Sequence, residues 1–258
     1  MNCKNCHTEL DEKDDYCKKC GGKVIRKRLS FKNLFEHLSE TFFNYDNKLL
    51  RTFVQLFKQP EDVIVGYING VRKRYINPIS FFGLSLTISG LSLFIIKKFY
   101  LQHLDFAEKF GGINKEIFDQ TSSGIFEYNS LFYSFLIPLF GFISWIVFLN
   151  KKYNFTEHII IYLYSMSMLS VLLAFASQIV LMLMPDGYFT FSLLTWPLMF
   201  IYHCYILKRI FKLTFGDLAL RTVIFLALFF VAYIIISILV FVIMLITGII
   251  NLEDFRPK

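Results

Sequence analysis

Apolar runs of membrane-crossing length constrain this chain more than any other feature. A bilayer core of about 30 Å takes about 20 apolar residues in a helix, within a range of about 17–25. Five segments qualify: 79–96, 131–149, 159–184, 188–207 and 223–250. The first ends at Lys97-Lys98, the second at Asn150-Lys151-Lys152 and the fourth at Lys208-Arg209. The third ends at Pro185-Asp186-Gly187, a turn signal. The fourth carries Pro197 and His203 and is the weakest of the five. The fifth is long enough to tilt or to extend beyond the hydrocarbon. Composition agrees, with 55% hydrophobic residues, 31 of them Phe, values that soluble domains rarely reach. The expected fold is therefore an all-α integral membrane protein with five transmembrane helices, a domain spanning 79–250 and a tail at 251–258.

Four of the five cysteines fall in the first twenty residues, as Cys3-x-x-Cys6 and Cys17-x-x-Cys20. Each C-x-x-C turn presents two thiolates on one knuckle, and two knuckles complete the tetrahedral set that Zn²⁺ prefers. Residues 1–22 read as a zinc-ribbon head with Cys3, Cys6, Cys17 and Cys20 as ligands and zinc as a structural cofactor. Four thiolates leave no position for water, so metal-assisted hydrolysis is not expected there. The head is too short to bury a core, so its folding is expected to depend on the metal. Gly21 suits the tight backbone after the last cysteine. His7 holds the equivalent place in the first knuckle and reads as a neighbour of the site, not as a ligand. Cys204, alone in an apolar stretch, reads as a small buried hydrophobe.

Between head and spans lies a region, 23–78, that is basic and then amphipathic. Residues 23–32 carry five basic groups. Phe31, Leu34, Phe35, Leu38 and Phe42 recur at helical spacing after a Ser30 cap. A second helix is expected after Asp46, with Leu49, Leu50, Phe53, Val54 and Phe57 on one face. A third opens at Pro60-Glu61-Asp62 and closes at Gly70. These helices are too short and too charged to span, which leaves the membrane surface or the ends of the bundle as their resting place. Arg72, Lys73 and Arg74 then sit at headgroup level. They read as a topology signal or as ligands for anionic lipid phosphates.

Charge also orients the chain. Placing the N-terminus in the cytosol puts Arg72, Lys73, Arg74, Lys151, Lys152, Lys208, Arg209, Lys212 and Arg221 inside, nine against six outside. The same orientation puts the cysteines in a reducing compartment, where thiolates stay free for metal. N-in, C-out is expected, with 99–130 as an external loop. The polar, cysteine-rich start does not read as a cleavable signal peptide. Net charge of +7 then reflects topology more than nucleic acid, and the basic stretch favours anionic lipid over nucleic acid as a partner.

The paired C-x-x-C head, the Pro60 turn and the string Gly70-x-Arg72-x-x-Tyr75-x-x-Pro78 resemble a bacterial family of zinc-ribbon membrane proteins catalogued only as a domain of unknown function. The likeness runs through residue 96, and His7 departs from the glycine usual there. It implies a bacterial inner-membrane location and no activity. The five-span layout is also similar to that of the Yip-type membrane-trafficking domain, an analogy of fold alone.

No catalytic residue is assigned. The five segments contain no Asp, Glu, Lys or Arg, the groups that usually carry ion coupling. Gly83, Ser85, Ser89 and Ser92 in the first segment, and Ser170, Ala174, Ser177 and Gln178 in the third, form small-residue faces suited to close packing within the chain or across a homo-oligomer. Three functions stand open. One is an adaptor or regulator whose cytosolic zinc ribbon binds a protein partner. Another is a transporter component with a polar cavity between spans. The last is a lipid enzyme with residues gathered around His158 or His203.

Overall fold

A computed structural model describes residues 2–22, 24, 48–100 and 134–246. The chain divides into two compact units, Met1–Asn47 and Lys48–Lys258. The expected helix through Phe31 and Phe42, most of the 99–130 loop and the tail lie outside the described residues.

In the second unit, α1 (Lys48–Lys58) and α2 (Pro60–Ile68) form a collar ahead of α3 (Pro78–Ile95). A wider π turn, Ile96–Tyr100, ends α3. Then come α4 (Ser134–Val147), α5 (Phe155–Leu183), α6 (Tyr188–Phe211) and α7 (Phe215–Ile246). The described residues of the second unit are mainly helical, whereas those of the head form turns, with an isolated antiparallel β-bridge between Asn2 and Glu9.

Four of these stretches are long and apolar enough to cross a membrane: Pro78–Tyr100, Phe155–Leu183, Pro185–Phe211 and Phe215–Val242. The expected 131–149 span corresponds to the shorter apolar helix Ser134–Val147. At 1.5 Å per residue that helix measures about 21 Å. Residues 131–133 and 247–250 lie outside the described residues.

Element starts follow local capping chemistry. Pro78 occupies the first turn of α3, where its missing N–H costs nothing, and the Asn77 carbonyl oxygen of the side chain accepts from Ile79 N at 2.9 Å. α5 begins four residues before the expected 159. Its start is a capping box: Glu157 N donates to Asn154 Oδ1 at 2.9 Å, and Asn154 N donates to Glu157 Oε2 at 2.8 Å. α7 begins eight residues before the expected 223, because Thr214 Oγ1 accepts from Asp217 N at 3.2 Å. Hydropathy alone hid both starts, since Glu157, Asp217 and Arg221 interrupt the apolar pattern while belonging to the helices.

The small-residue faces of α3 and α5 do pack together. Gln178 Nε2 donates to Ser92 Oγ at 2.7 Å and to Ser92 O at 3.2 Å, and Ser92 Oγ reaches Ala174 O at 3.3 Å. Ser85 is fully buried, whereas Gly83 is exposed and takes no part in the face. An unexpected glycine matters more. A Cβ on Gly141 would lie 3.2 Å from Ile159 Cγ1 and 3.4 Å from Ile159 N, so the bare position lets α4 lie against α5 without displacing Ile159.

The collar rests on the bundle. Leu56, Val63, Ile64 and Tyr75 share a core with Phe81, Tyr164 and Ile206. The buried stripe of α1 differs from the expected one. Thr52 and Leu56 are buried with Leu49 and Phe53 packed beside them, while Leu50, Val54 and Phe57 are exposed. Two apolar stripes at helical spacing compete in this sequence, and Thr52 selects between them. Its hydroxyl accepts from Ile76 N at 3.1 Å, inside the protein.

Phenols complete the attachment. Tyr164 OH of α5 donates to Ile76 O at 2.6 Å, Tyr202 OH of α6 to Leu56 O at 3.3 Å, and Tyr205 OH to Phe57 O at 2.7 Å. The last two satisfy carbonyls at the C-terminus of α1 that have no partner within the helix. Replacing Tyr164 with Phe leaves the Ile76 carbonyl unpaired in a buried place, so Tyr164→Phe is expected to destabilise the bundle by about 1–3 kcal/mol. Thermal unfolding of the purified protein, with faster amide exchange confined to residues 70–77, would show it. Unchanged exchange there would remove Tyr164 from this role.

Candidate metal centre and bundle cavities

The head builds its two cysteine turns alike. In the first, Cys3 N donates to Thr8 O and His7 N donates to Cys3 O, each at 2.8 Å. In the second, Cys17 N donates to Gly22 O and Gly21 N donates to Cys17 O, again each at 2.8 Å. Both turns close through a left-handed residue one place after the second cysteine, with φ of 57° at His7 and 67° at Gly21. His7 therefore occupies the glycine place in conformation as well as in sequence, and its ring is not one of the clustered ligand groups.

The turns bring the four thiols together. All four Sγ atoms lie within 4.8 Å of one another, with Cys6–Cys17 at 3.5 Å and Cys3–Cys20 at 3.7 Å. A tetrahedron of thiolates with metal–sulfur bonds of about 2.3 Å has sulfur–sulfur edges of about 3.8 Å. The cluster thus fits a four-coordinate metal ion, and the distances exclude disulfides. Leu10 and Val24 pack against Cys3 and Cys17, giving one apolar side to an otherwise exposed site.

Thiolate chemistry is favoured even before a metal arrives. The Thr8 hydroxyl and then the Thr8 backbone hold the Cys6 thiol down to about 6 from its ordinary value of 9.0. The folded-state value is depressed, so the stabilisation is complete above the ordinary thiol range and is lost as pH falls toward 6.

The basic cluster before α3 is exposed, but its members differ. Arg74 pairs with Asp62 at 3.3 Å and lies 5.2 Å over the Tyr75 ring. Arg72 lies 5.5 Å over the Tyr67 ring. Tyr75 is buried and donates a short hydrogen bond to Asp62; burial first, then this carboxylate, pushes its phenol up to about 12. Two of the three cations thus brace the turn, while Lys73 is exposed. A second ion pair, Arg209–Glu61 at 2.5 Å, ties α2 to α6. Burial raises the Glu61 carboxyl, but the Arg209 hydrogen bond, a backbone hydrogen bond and the Arg209 charge together outweigh it and leave the group below its ordinary value.

Among the described residues, two histidines sit inside the helical unit. His158 is fully buried because α5 starts early. Its Nδ1 is 2.9 Å from Ser144 Oγ, a distance suited to a nucleophile and its base, yet both residues are buried and Nε2 has no hydrogen-bond partner among the described residues. Access and a third orienting group are both missing, so the pair reads as a buried polar link between α4 and α5. His203 bonds Met199 O through Nδ1 at 2.7 Å and stacks on Tyr162, with 5.7 Å between rings.

His203 also lines an almost wholly apolar cavity of about 440 Å³ among α4, α5, α6 and α7, together with Cys204, Arg221 and Thr222. A smaller cavity, about 160 Å³, lies among the serines of α3 and α5. Arg221, read from the sequence only as a flanking charge, was missed as a cavity residue because its setting depends on α4: its Nη1 donates to Val147 O at 2.6 Å and its guanidinium lies 4.9 Å over the Phe148 ring.

Residues 46–90 match the family described as "Protein of unknown function (DUF3667)". The match includes the string from Gly70 to Pro78 and does not reach the cysteine head or the later helices. No curated protein and no solved structure matches the chain.

A Cβ at residue 21 would meet nothing within 4 Å, so substitution there tests conformation alone. Gly21→Val is expected to cost about 1–2 kcal/mol in the left-handed turn, and hence metal affinity by roughly tenfold, because binding and folding are coupled. Gly21→Asn is expected to retain most of the affinity. Chelator competition on the purified protein measures both.

Proposed function

We propose that this chain is a membrane-embedded adaptor or regulator of five spans in the bacterial plasma membrane. Its N-terminus is cytosolic, its C-terminus is outside, and a structural zinc ribbon on Cys3, Cys6, Cys17 and Cys20 binds a cytosolic protein partner. The observation that carries this reading is the closed thiolate set. Four equivalent ligands on two matched turns support a metal that shapes a surface and leave no open coordination position for a reaction. The apolar interior of the spans supports the same choice over ion-coupled transport, since the charged residues of the helices gather near their ends. Anionic lipid at Arg72 and Lys73 is a second partner on this reading. Arg74 is held by Asp62 and contributes less. On this reading the helix Ser134–Val147 belongs to the fifth span.

Two measurements test the proposal. Cys17→Ser is expected to abolish bound zinc in the purified protein. The same substitution should also remove the cytosolic proteins that cross-link to the head in native membranes, while leaving the protein inserted. A cross-linking pattern identical to wild type would refute the adaptor role. Alkaline phosphatase fused after Lys258 is expected to be active, and inactivity would overturn the orientation and the five-span count.

A further inference from the structure

α1 is apolar around more of its circumference than its contact with the bundle uses. At 3.6 residues per turn, Leu56 and Val54 stand about 160° apart, and the arc between them also carries Leu49, Phe53, Phe57 and Leu50. One side of that arc, with Leu56, Leu49 and Phe53, goes to the core. The other side does not: Leu50, Val54 and Phe57 are 55%, 37% and 41% exposed. The next lane around the helix is basic, with Arg51 and Lys58 exposed. Lys58 stands in the last turn of α1 and pairs with no carboxylate among the described residues. Core, open apolar stripe and cations thus follow one another around a single helix.

The attachment of α1 sets its depth. Its last carbonyls accept from α6, Leu56 O from Tyr202 OH at 3.3 Å and Phe57 O from Tyr205 OH at 2.7 Å. Both tyrosines belong to the apolar stretch Pro185–Phe211 and precede its basic end at Lys208-Arg209. Three to seven residues separate them from those cations, about 5–10 Å of helix. The last turn of α1 is therefore held just inside the basic end of a membrane helix. An interfacial amphipathic helix buries its apolar face to the same depth, about 5–10 Å into the boundary between headgroups and acyl chains. Earlier in α1, Thr52 meets Ile76 N, two residues before α3 opens at Pro78, so the whole helix lies beside the ends of the spans.

We propose that α1 is a lateral membrane anchor that binds anionic phospholipid. Leu50, Val54 and Phe57 lie among the acyl chains of the leaflet around the basic end of α6. Lys58, with Lys208 exposed about one turn beyond Tyr205, holds the lipid phosphates. Lysine stems cover apolar surface while their ammonium groups reach outward, which suits a cation lane next to an apolar one. The partner follows from the two lanes together: the stripe requires an apolar medium, the neighbouring cations require anions, and an anionic phospholipid supplies both in one molecule. The site lies wholly in the helical unit. It is separate from Arg72 and Lys73 and does not depend on the zinc-head reading.

Photo-cross-linking of the full-length protein tests it. p-Benzoylphenylalanine replaces Leu50, Phe57 or Gln55, one position at a time. Gln55 stands about 140° around the helix from Leu50 and serves as the comparison. The protein is irradiated in nanodiscs holding equal amounts of phosphatidylcholine and phosphatidylglycerol, and adducts are identified by mass spectrometry. Phospholipid adducts at the Leu50 and Phe57 positions are expected to exceed those at the Gln55 position at least about fivefold. Among them, phosphatidylglycerol is expected to exceed phosphatidylcholine about threefold. Lys58→Gln together with Lys208→Gln should bring that ratio close to equality while the total lipid yield holds. Adducts to protein in place of lipid, whether to residues 25–47 or to a second copy of the chain, overturn the proposal. So does a lipid yield no higher at the two stripe positions than at the Gln55 position. An equal ratio of the two lipids with both lysines intact overturns the anionic assignment. None of these readouts depends on zinc content or on cross-linking at the head.

Discussion

Phenol hydroxyls donating to main-chain carbonyls hold the collar to the membrane helices, and most of the second unit depends on them. The segment between α2 and α3 is not helical, so its peptide groups must find partners outside regular structure. Ile76 illustrates the solution. Its N–H ends on Thr52 of α1 and its C=O receives Tyr164 of α5. One residue thus ties the collar, the entry to the first span and the most buried helix. Tyr202 and Tyr205 do the same for the end of α1, whose last carbonyls would otherwise be left open. Tyrosine suits this role because its ring packs in the apolar core while its hydroxyl reaches a polar group at the edge.

Inside the bundle the same economy of polar groups recurs as isolated pairs. Ser144–His158 links α4 to α5, and Ser92–Gln178 links α3 to α5. Each pair is enclosed by apolar neighbours, where an unmatched polar group is costly and a matched one specifies register. α5 is the hub of all these contacts, and it is also the helix whose membrane segment is most buried. α7 is the opposite case. Its long apolar surface is exposed along its length, and its few polar residues collect at the end that meets α6 and Phe148.

Much of the candidate metal centre was legible in the sequence because its chemistry is local. Cys3, Cys6, Cys17 and Cys20 lie within two short turns, and a C-x-x-C turn closes through its own backbone. The left-handed place at His7 and Gly21 follows from that same closure. The stripe of α1 was less legible, since Leu50, Val54 and Phe57 are as apolar as Leu49 and Leu56. Only the Ile76 N–H, twenty-four residues beyond Thr52, selects the buried side. Gly141 shows the same limit: one bare Cα signals nothing until Ile159 of α5 is placed against it.

Hydropathy, proline placement and cysteine spacing by themselves determined the helical membrane character, the entry to α3 at Asn77-Pro78 and the thiolate cluster. Each of these rests on interactions within a few residues or with the surrounding solvent. Tertiary structure alone decided that the collar packs on the bundle, that His158 is sealed against Ser144, and that Arg221 bonds the Val147 carbonyl at the end of α4 instead of merely marking a membrane edge. Those outcomes depend on groups brought together from distant parts of the chain, where a hydrogen-bond partner, and not the residue's own polarity, sets the position of each side chain.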